Sequence, residues 1–86
     1  MGTYGIFLRM EAVDSFKAVR GIQRQQISLF IDSLAVDPNR PGDFSERDDS
    51  GRQIEIKVLG QFAINYWADH AVREVKILDI CKADQA

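Results

Sequence analysis

The chain has 86 residues, 45% of them hydrophobic and 28% charged, a balance that fits one small globular domain over residues 1–86 and argues against disorder. Its formal net charge of −2 leaves no basic excess to grip nucleic-acid phosphates, so autonomous DNA binding is not expected. One cysteine and one histidine are too few for an internal disulfide or a Cys/His zinc site, and no cofactor or metal is expected.

The opening residues, "MGTYGIFLRMEAVD", meet acid early and lack the apolar run of a secretory signal. No window approaches the ~20 apolar residues of a membrane span, so the expectation is a cytoplasmic protein with no membrane partner. Within that opening, residues Thr3 to Arg9 read as a strand with Tyr4, Ile6 and Leu8 on one side. From Met10 the period changes to helical. Val13, Phe16 and Val19 recur at every third position between polar Glu11, Asp14 and Lys17, and Gly21 breaks the run. A second helix is predicted from about Ile22 to Ala35. Its apolar stripe is Ile27, Phe30, Ile31 and Leu34, widened by Leu29, while Arg20, Arg24, Gln25 and Asp32 face water. Pro38 and Pro41 in "VDPNRPGD" stop it, and the two helices should form an αα-hairpin. Residues Pro38 to Gly51 then make a polar connection anchored only by Phe44, either mobile or functional.

The stretch "QIEIKVLGQFAINYWADH" reads as a hairpin around Gly60. A two-residue Gly60-Gln61 loop sets Lys57 against Ile64 and mixes the faces. A three-residue loop, Leu59-Gly60-Gln61, pairs Val58 with Phe62, Ile56 with Ile64 and Ile54 with Tyr66, and segregation of apolar from polar residues favours this second register. The other face would then hold a polar stripe, with Lys57 beside Ala63, Glu55 beside Asn65 and Gln53 beside Trp67. The segment "ADHAVR" is the next turn, with His70 a turn residue. The last strand, "REVKILDI", has Val75 and Ile77 on one side and Leu78 and Ile80 on the other, which predicts a central position. Cys81 follows it as a small buried residue. The fold class expected is α+β: an N-terminal strand, an αα-hairpin and a three-stranded antiparallel meander, with the helices packed on one face of a four-stranded sheet.

This order of elements, the helix exit "LAVDPNRPGD", the segment "GRQIEIKVLGQFAINYWAD" and the closing "VKILDI" resemble the RelE/ParE superfamily of toxins from bacterial type II toxin–antitoxin modules, over nearly the whole chain. The resemblance implies a small plasmid-stabilisation-type toxin neutralised by a cognate antitoxin. RelE-like members cut messenger RNA on the ribosome; ParE-like members poison DNA gyrase. Cleavage of the RelE type requires groups that activate a ribose 2′-hydroxyl and steady the scissile phosphate. In the family, these are basic residues on the first two strands of the meander, with an arginine and an aromatic or histidine near the C-terminus. The two lysine positions of the first meander strand fall on Gln53 and Glu55, the arginine after the hairpin aromatic falls on Ala63, and the basic residue beyond the last strand falls on Lys82 or Ala83.

Three expectations follow. As a ribosome-dependent endoribonuclease with a substituted site, the chain would use Glu55 as general base with Lys57, Arg52 or Lys82 on the phosphate. As a binding toxin, the leading expectation, it would occupy a target such as DNA gyrase, with Trp67 as anchor and Asn65 beside it on the polar face. As a non-toxic interaction module, it would bind an antitoxin or form a homodimer, with Arg20 and Arg24 on the second helix meeting acid on the partner.

Overall fold

The computed structural model describes residues 3–85. In chain order it contains β1 (Gly5–Leu8), α1 (Met10–Ala18), α2 (Gly21–Val36), β2 (Phe44–Arg47), β3 (Gln53–Leu59), β4 (Phe62–Asp69) and β5 (Glu74–Lys82), followed by a 3₁₀ turn, Ala83–Gln85. The strands form one sheet in the order β1-β5-β4-β3-β2, antiparallel except for β1, which runs parallel to β5.

The helices begin and end close to where the periodicity puts them. Gly21 takes φ +68°, the left-handed region open to glycine, so the chain can leave α1 and enter α2 with only Val19 and Arg20 between them. Ala12 and Val19 from α1 and Ile27, Phe30, Ile31 and Leu34 from α2 are buried against Ile64, Tyr66, Val75, Ile77 and Ile80 of the sheet, with Ile6, Leu8 and Phe16 packed alongside. Leu29 does not widen this stripe. It is 64% exposed and lies with Ile22 and Val36, seven residues to either side, on the outer surface of α2.

Three expectations about the sheet are corrected. First, it has five strands, not four. The connection after α2 contributes β2, whose Phe44, Ser45, Glu46 and Arg47 pair with Ile56, Glu55, Ile54 and Gln53. All four side chains are exposed, so this edge strand leaves no periodic apolar trace in the sequence. The connection is also ordered by its own turn. The Asp48 carboxylate accepts hydrogen bonds from the backbone amides of Ser50 and Arg52 and from the Ser50 hydroxyl, and Gly51 closes the turn at φ +83°.

Second, the β3–β4 hairpin adopts the two-residue loop. Leu59 pairs with Phe62, Val58 with Ala63, Lys57 with Ile64, Ile56 with Asn65 and Glu55 with Tyr66. Gly60 stands at φ +58° in the first turn position, which favours glycine. The helix-side face of β3 therefore carries Leu59, Lys57 and Glu55, and the Ile54–Ile56–Val58 set points to the opposite face. The apolar alternation misleads because that opposite face is itself partly apolar: Ile54 and Ala63 are buried on it, with Ile56, Val58 and Trp67 half-buried. Under the helices, β4 supplies the core residues, and the polar end of β3 lies beneath the loop that follows α2.

Third, Ile80 of β5 lies on the side of Val75 and Ile77, and not on a second face with Leu78. A bulge shifts the β4–β5 register, so that Asn65 opposes Asp79 but Tyr66 opposes Ile77. Leu78 is the extra residue, and Ile80 swings back to the helix side opposite Ile64. β5 is interior to the sheet, as expected, between β1 and β4.

Leu34 is fully buried. Leu34→Ala should lower unfolding stability by about 2–5 kcal/mol in urea titration, whereas Leu29→Ala should change it by less than about 0.5 kcal/mol. Equal losses would mean that α2 presents a different face to the sheet.

Candidate functional site

Beyond the reach of α2, the helix-side face of the sheet opens into a polar groove of about 480 Å³. Its floor is Ser45 from β2, Gln53 and Glu55 from β3, and Tyr66 and Ala68 from β4. One wall is the loop from Pro38 to Asp43, and His70 stands at the other side.

The loop is held by side chains from the sheet. Tyr66 spans core and groove: its ring meets Phe30 edge-on at 5.6 Å, and its hydroxyl donates to the Arg40 carbonyl at 2.9 Å. Burial, reinforced by the negative charge of Glu55, pushes the phenol pKa up, so it remains a neutral donor at physiological pH. The Gly42 amide donates to Glu55 Oε1 at 2.9 Å. A Cβ at residue 42 would lie 2.5 Å from the Ile56 carbonyl oxygen, so only glycine lets the loop come this close. Asp43 adds one more rung to the β2–β3 ladder: its amide donates to the Ile56 carbonyl at 2.8 Å, and its carboxylate accepts the Val58 amide at 2.8 Å. Lys57 Nζ lies 3.3 Å from the same carboxylate. The Val58 amide, aided by Lys57, holds the Asp43 carboxyl below the usual carboxylate range.

Glu55 is the charge at the centre of the floor. Oε1 takes the Gly42 amide, and Oε2 takes Gln53 Nε2 at 2.7 Å. Among the described residues no cation stands at ion-pair distance from it. The nearby cations are engaged elsewhere. Arg40 lays its guanidinium over the Phe30 ring at 4.8 Å and donates to Ser33 Oγ at 2.8 Å, while Lys57 faces Asp43. At the mouth, Tyr4 Oη and His70 Nδ1 are 2.6 Å apart, and Arg73 covers the Tyr4 ring at 5.3 Å. His70 is thus a turn residue that also borders the groove.

The candidate catalytic residues do not gather. Glu55 and Lys57 share a face, as their spacing requires, but it is the helix-side face and not an open stripe. Arg52 lies on the opposite side, stacked 4.2 Å over Trp67 and 3.2 Å from Asp48. Lys82 pairs with Phe62 at the far end of β4, about 13 Å along the strand from Tyr66. The candidate partner-binding residues separate too. Trp67 and Asn65 lie on the face away from the helices, Trp67 opposite Lys76 and not beside Gln53. The Trp67 indole nitrogen and the Asn65 carbonyl oxygen are buried without a hydrogen-bond partner among the described residues. Arg20 and Arg24 are exposed on the helical side, with Arg24 over the Phe16 ring at 4.7 Å. Cys81 is half-buried opposite Ala63, and burial, aided by Asp79, raises its thiol pKa, which disfavours the thiolate.

The sequence matches no protein-family model and none of the curated proteins compared with it. Solved structures do match. A chain of the archaeal RelE–RelB complex from Pyrococcus horikoshii OT3 superposes with a TM-score of 0.79 at 16% identity, over 98% of this chain and 99% of that one. The fold is that of the RelE toxins. The isolated Escherichia coli RelE toxin gives a TM-score of 0.78 at 13% identity, over 96% of this chain and 87% of that one. The RelBE2 toxin–antitoxin complex of Mycobacterium tuberculosis gives 0.75 at 17%, over 93% and 98%. Within this RelE fold, the positions that the resemblance assigns to the first two basic residues, Gln53 and Glu55, line the groove. Ala63 is buried on the opposite face.

Sequence reasoning missed Tyr4, Arg40, Asp43 and Tyr66 as parts of this site. Their partners lie far along the chain, 66 residues away for Tyr4 and His70, and no local spacing announces such contacts. The glycine next to Asp43 in "RPGD" is the one local sign of a close approach.

Because the native carboxyl of Asp43 is more acidic than its unfolded counterpart, it stabilises the fold above about pH 4, and that contribution disappears as pH falls through the native value. Urea midpoints measured from about pH 6 down to pH 3 should fall less steeply in Asp43→Asn than in the parent. An unchanged slope would remove Asp43 from the loop anchor.

Proposed function

We propose that the chain is the toxin half, or a toxin-like relative, of a bacterial type II toxin–antitoxin pair: a single cytoplasmic domain that binds a cognate antitoxin and acts by occupying a macromolecular target, such as DNA gyrase, and not by cutting RNA. The RelE fold, with relatives solved as complexes with RelB, supports the antitoxin partner. The outer ridge of α2, with Ile22, Leu29 and Val36 at seven-residue spacing, offers a strip of the kind an amphipathic antitoxin helix covers. One observation carries the preference for binding over cleavage. The groove that would receive a scissile phosphate holds the Glu55 carboxylate with no cation at ion-pair distance among the described residues, and Lys57 and Arg40 are turned onto Asp43 and Phe30, so a polyanion meets repulsion where the chemistry needs positive charge.

A second reading is favoured by the Tyr4–His70 pair. Its His70 lines the groove together with Glu55, and these are groups able to take and return a proton, as a substituted ribosome-dependent endoribonuclease would require. Induction in a bacterial host, with transcript 5′ ends mapped and DNA replication followed, separates the two. Binding toxicity predicts growth arrest with intact transcripts, reversed by co-expression of the partner encoded beside it. Codon-linked cuts that vanish in Glu55→Gln and His70→Ala would instead establish cleavage, and normal growth would leave only the interaction role.

A further inference from the structure

We infer that the groove under the Pro38–Asp43 loop is a receptor for a basic side chain, arginine above all, presented by a partner polypeptide. The inference deepens the binding reading above and rests on it for the identity of the partner, but the recognition chemistry is a property of the isolated chain.

The argument starts from charge. Among the described residues lining the groove, Glu55 is the acid with no cation at ion-pair distance: Asp43 has Lys57, and the Arg40 guanidinium is turned onto Phe30 and Ser33. A carboxylate with no cation beside it attracts an incoming one, and partial burial weakens the solvent screening between them. The carboxylate is also aimed. The Gly42 amide holds one oxygen and the Gln53 amide the other, so the group is fixed in orientation before anything binds, and each oxygen keeps lone-pair capacity for a further donor. The surroundings favour a guanidinium over a compact ammonium. Ser45 stands directly opposite Glu55 on the neighbouring strand and adds a hydroxyl acceptor on the same face, and the lining is polar. A planar group with five N–H donors can satisfy several such acceptors at once, bidentate on the carboxylate. The same carboxylate repels a phosphodiester, whose oxygens accept but do not donate.

The isolated protein, labelled with ¹⁵N, tests this with N-acetyl-arginine-N′-methylamide, its neutral citrulline counterpart and the dinucleotide uridylyl-uridine. The arginine probe should give saturable amide shifts at Gly42, Ser45 and Glu55. The citrulline probe should bind at least about tenfold more weakly, and Glu55→Gln, which keeps an acceptor for the Gly42 amide, should weaken the arginine probe by a similar factor. Equal responses to the arginine and citrulline probes, or shifts at these amides from the dinucleotide alone, would overturn the assignment. If Glu55→Gln does not fold, the arginine-to-citrulline ratio in the parent protein decides. Growth assays do not enter the measurement, so loss of the toxin reading and loss of this site are told apart.

Discussion

The two-residue turn at Gly60-Gln61 is the constraint on which everything else depends. Side chains alternate across a strand, so a loop longer by one residue would send Glu55 and Lys57 to the far side and bring Ile54, Ile56 and Val58 beneath the helices. With the turn as it is, Leu59, Phe62, Ile64 and Tyr66 continue one apolar layer along the hairpin. That layer gives out at Glu55, where α2 has already ended. A loop with strong polar anchors, and not a helix, covers the remaining floor. The groove is therefore a by-product of register, formed where the helix-side layer turns polar.

The anchors of that loop are shared with the site itself. Glu55 holds Gly42 by one oxygen, Tyr66 holds Arg40 from the core, and Asp43 extends the strand ladder with its own carboxylate. The residue that gives the groove its charge thus also keeps the groove open. Functional and structural demands on position 55 cannot be separated by truncation, and only substitutions that preserve the acceptor and remove the charge divide them.

The fold was legible in the sequence where packing follows a simple period. The buried stripe Ile27, Phe30, Ile31, Leu34, the glycine between the helices and the interior position of the last strand all follow from spacing and breakers. The errors share a cause. β2 carries no buried side chain, β3 puts Ile54, Ile56 and Val58 on the face away from the helices, and β5 uses a bulge to bring Ile80 back to the core. In each case the outcome depends on tertiary context that a single strand does not encode. The groove was legible only in part. Glu55 stood out as a carboxylate where the resemblance implies lysine, but Tyr4 meets His70 across 66 residues, and Asp43 and Tyr66 are joined to the site by contacts that no local spacing announces.

The fully exposed strand β2 has a bearing on how the molecule behaves in concentrated solution. Its outer backbone is the natural place for another chain to add hydrogen bonds and extend the sheet, the first step toward fibres. The strand is four residues long, carries Glu46 and Arg47, and runs into the charged turn at Asp48 and Asp49. A docking strand would have to align against those charges with little length to gain from, so this border discourages sheet-to-sheet polymerisation and helps keep a small toxin-like fold dispersed.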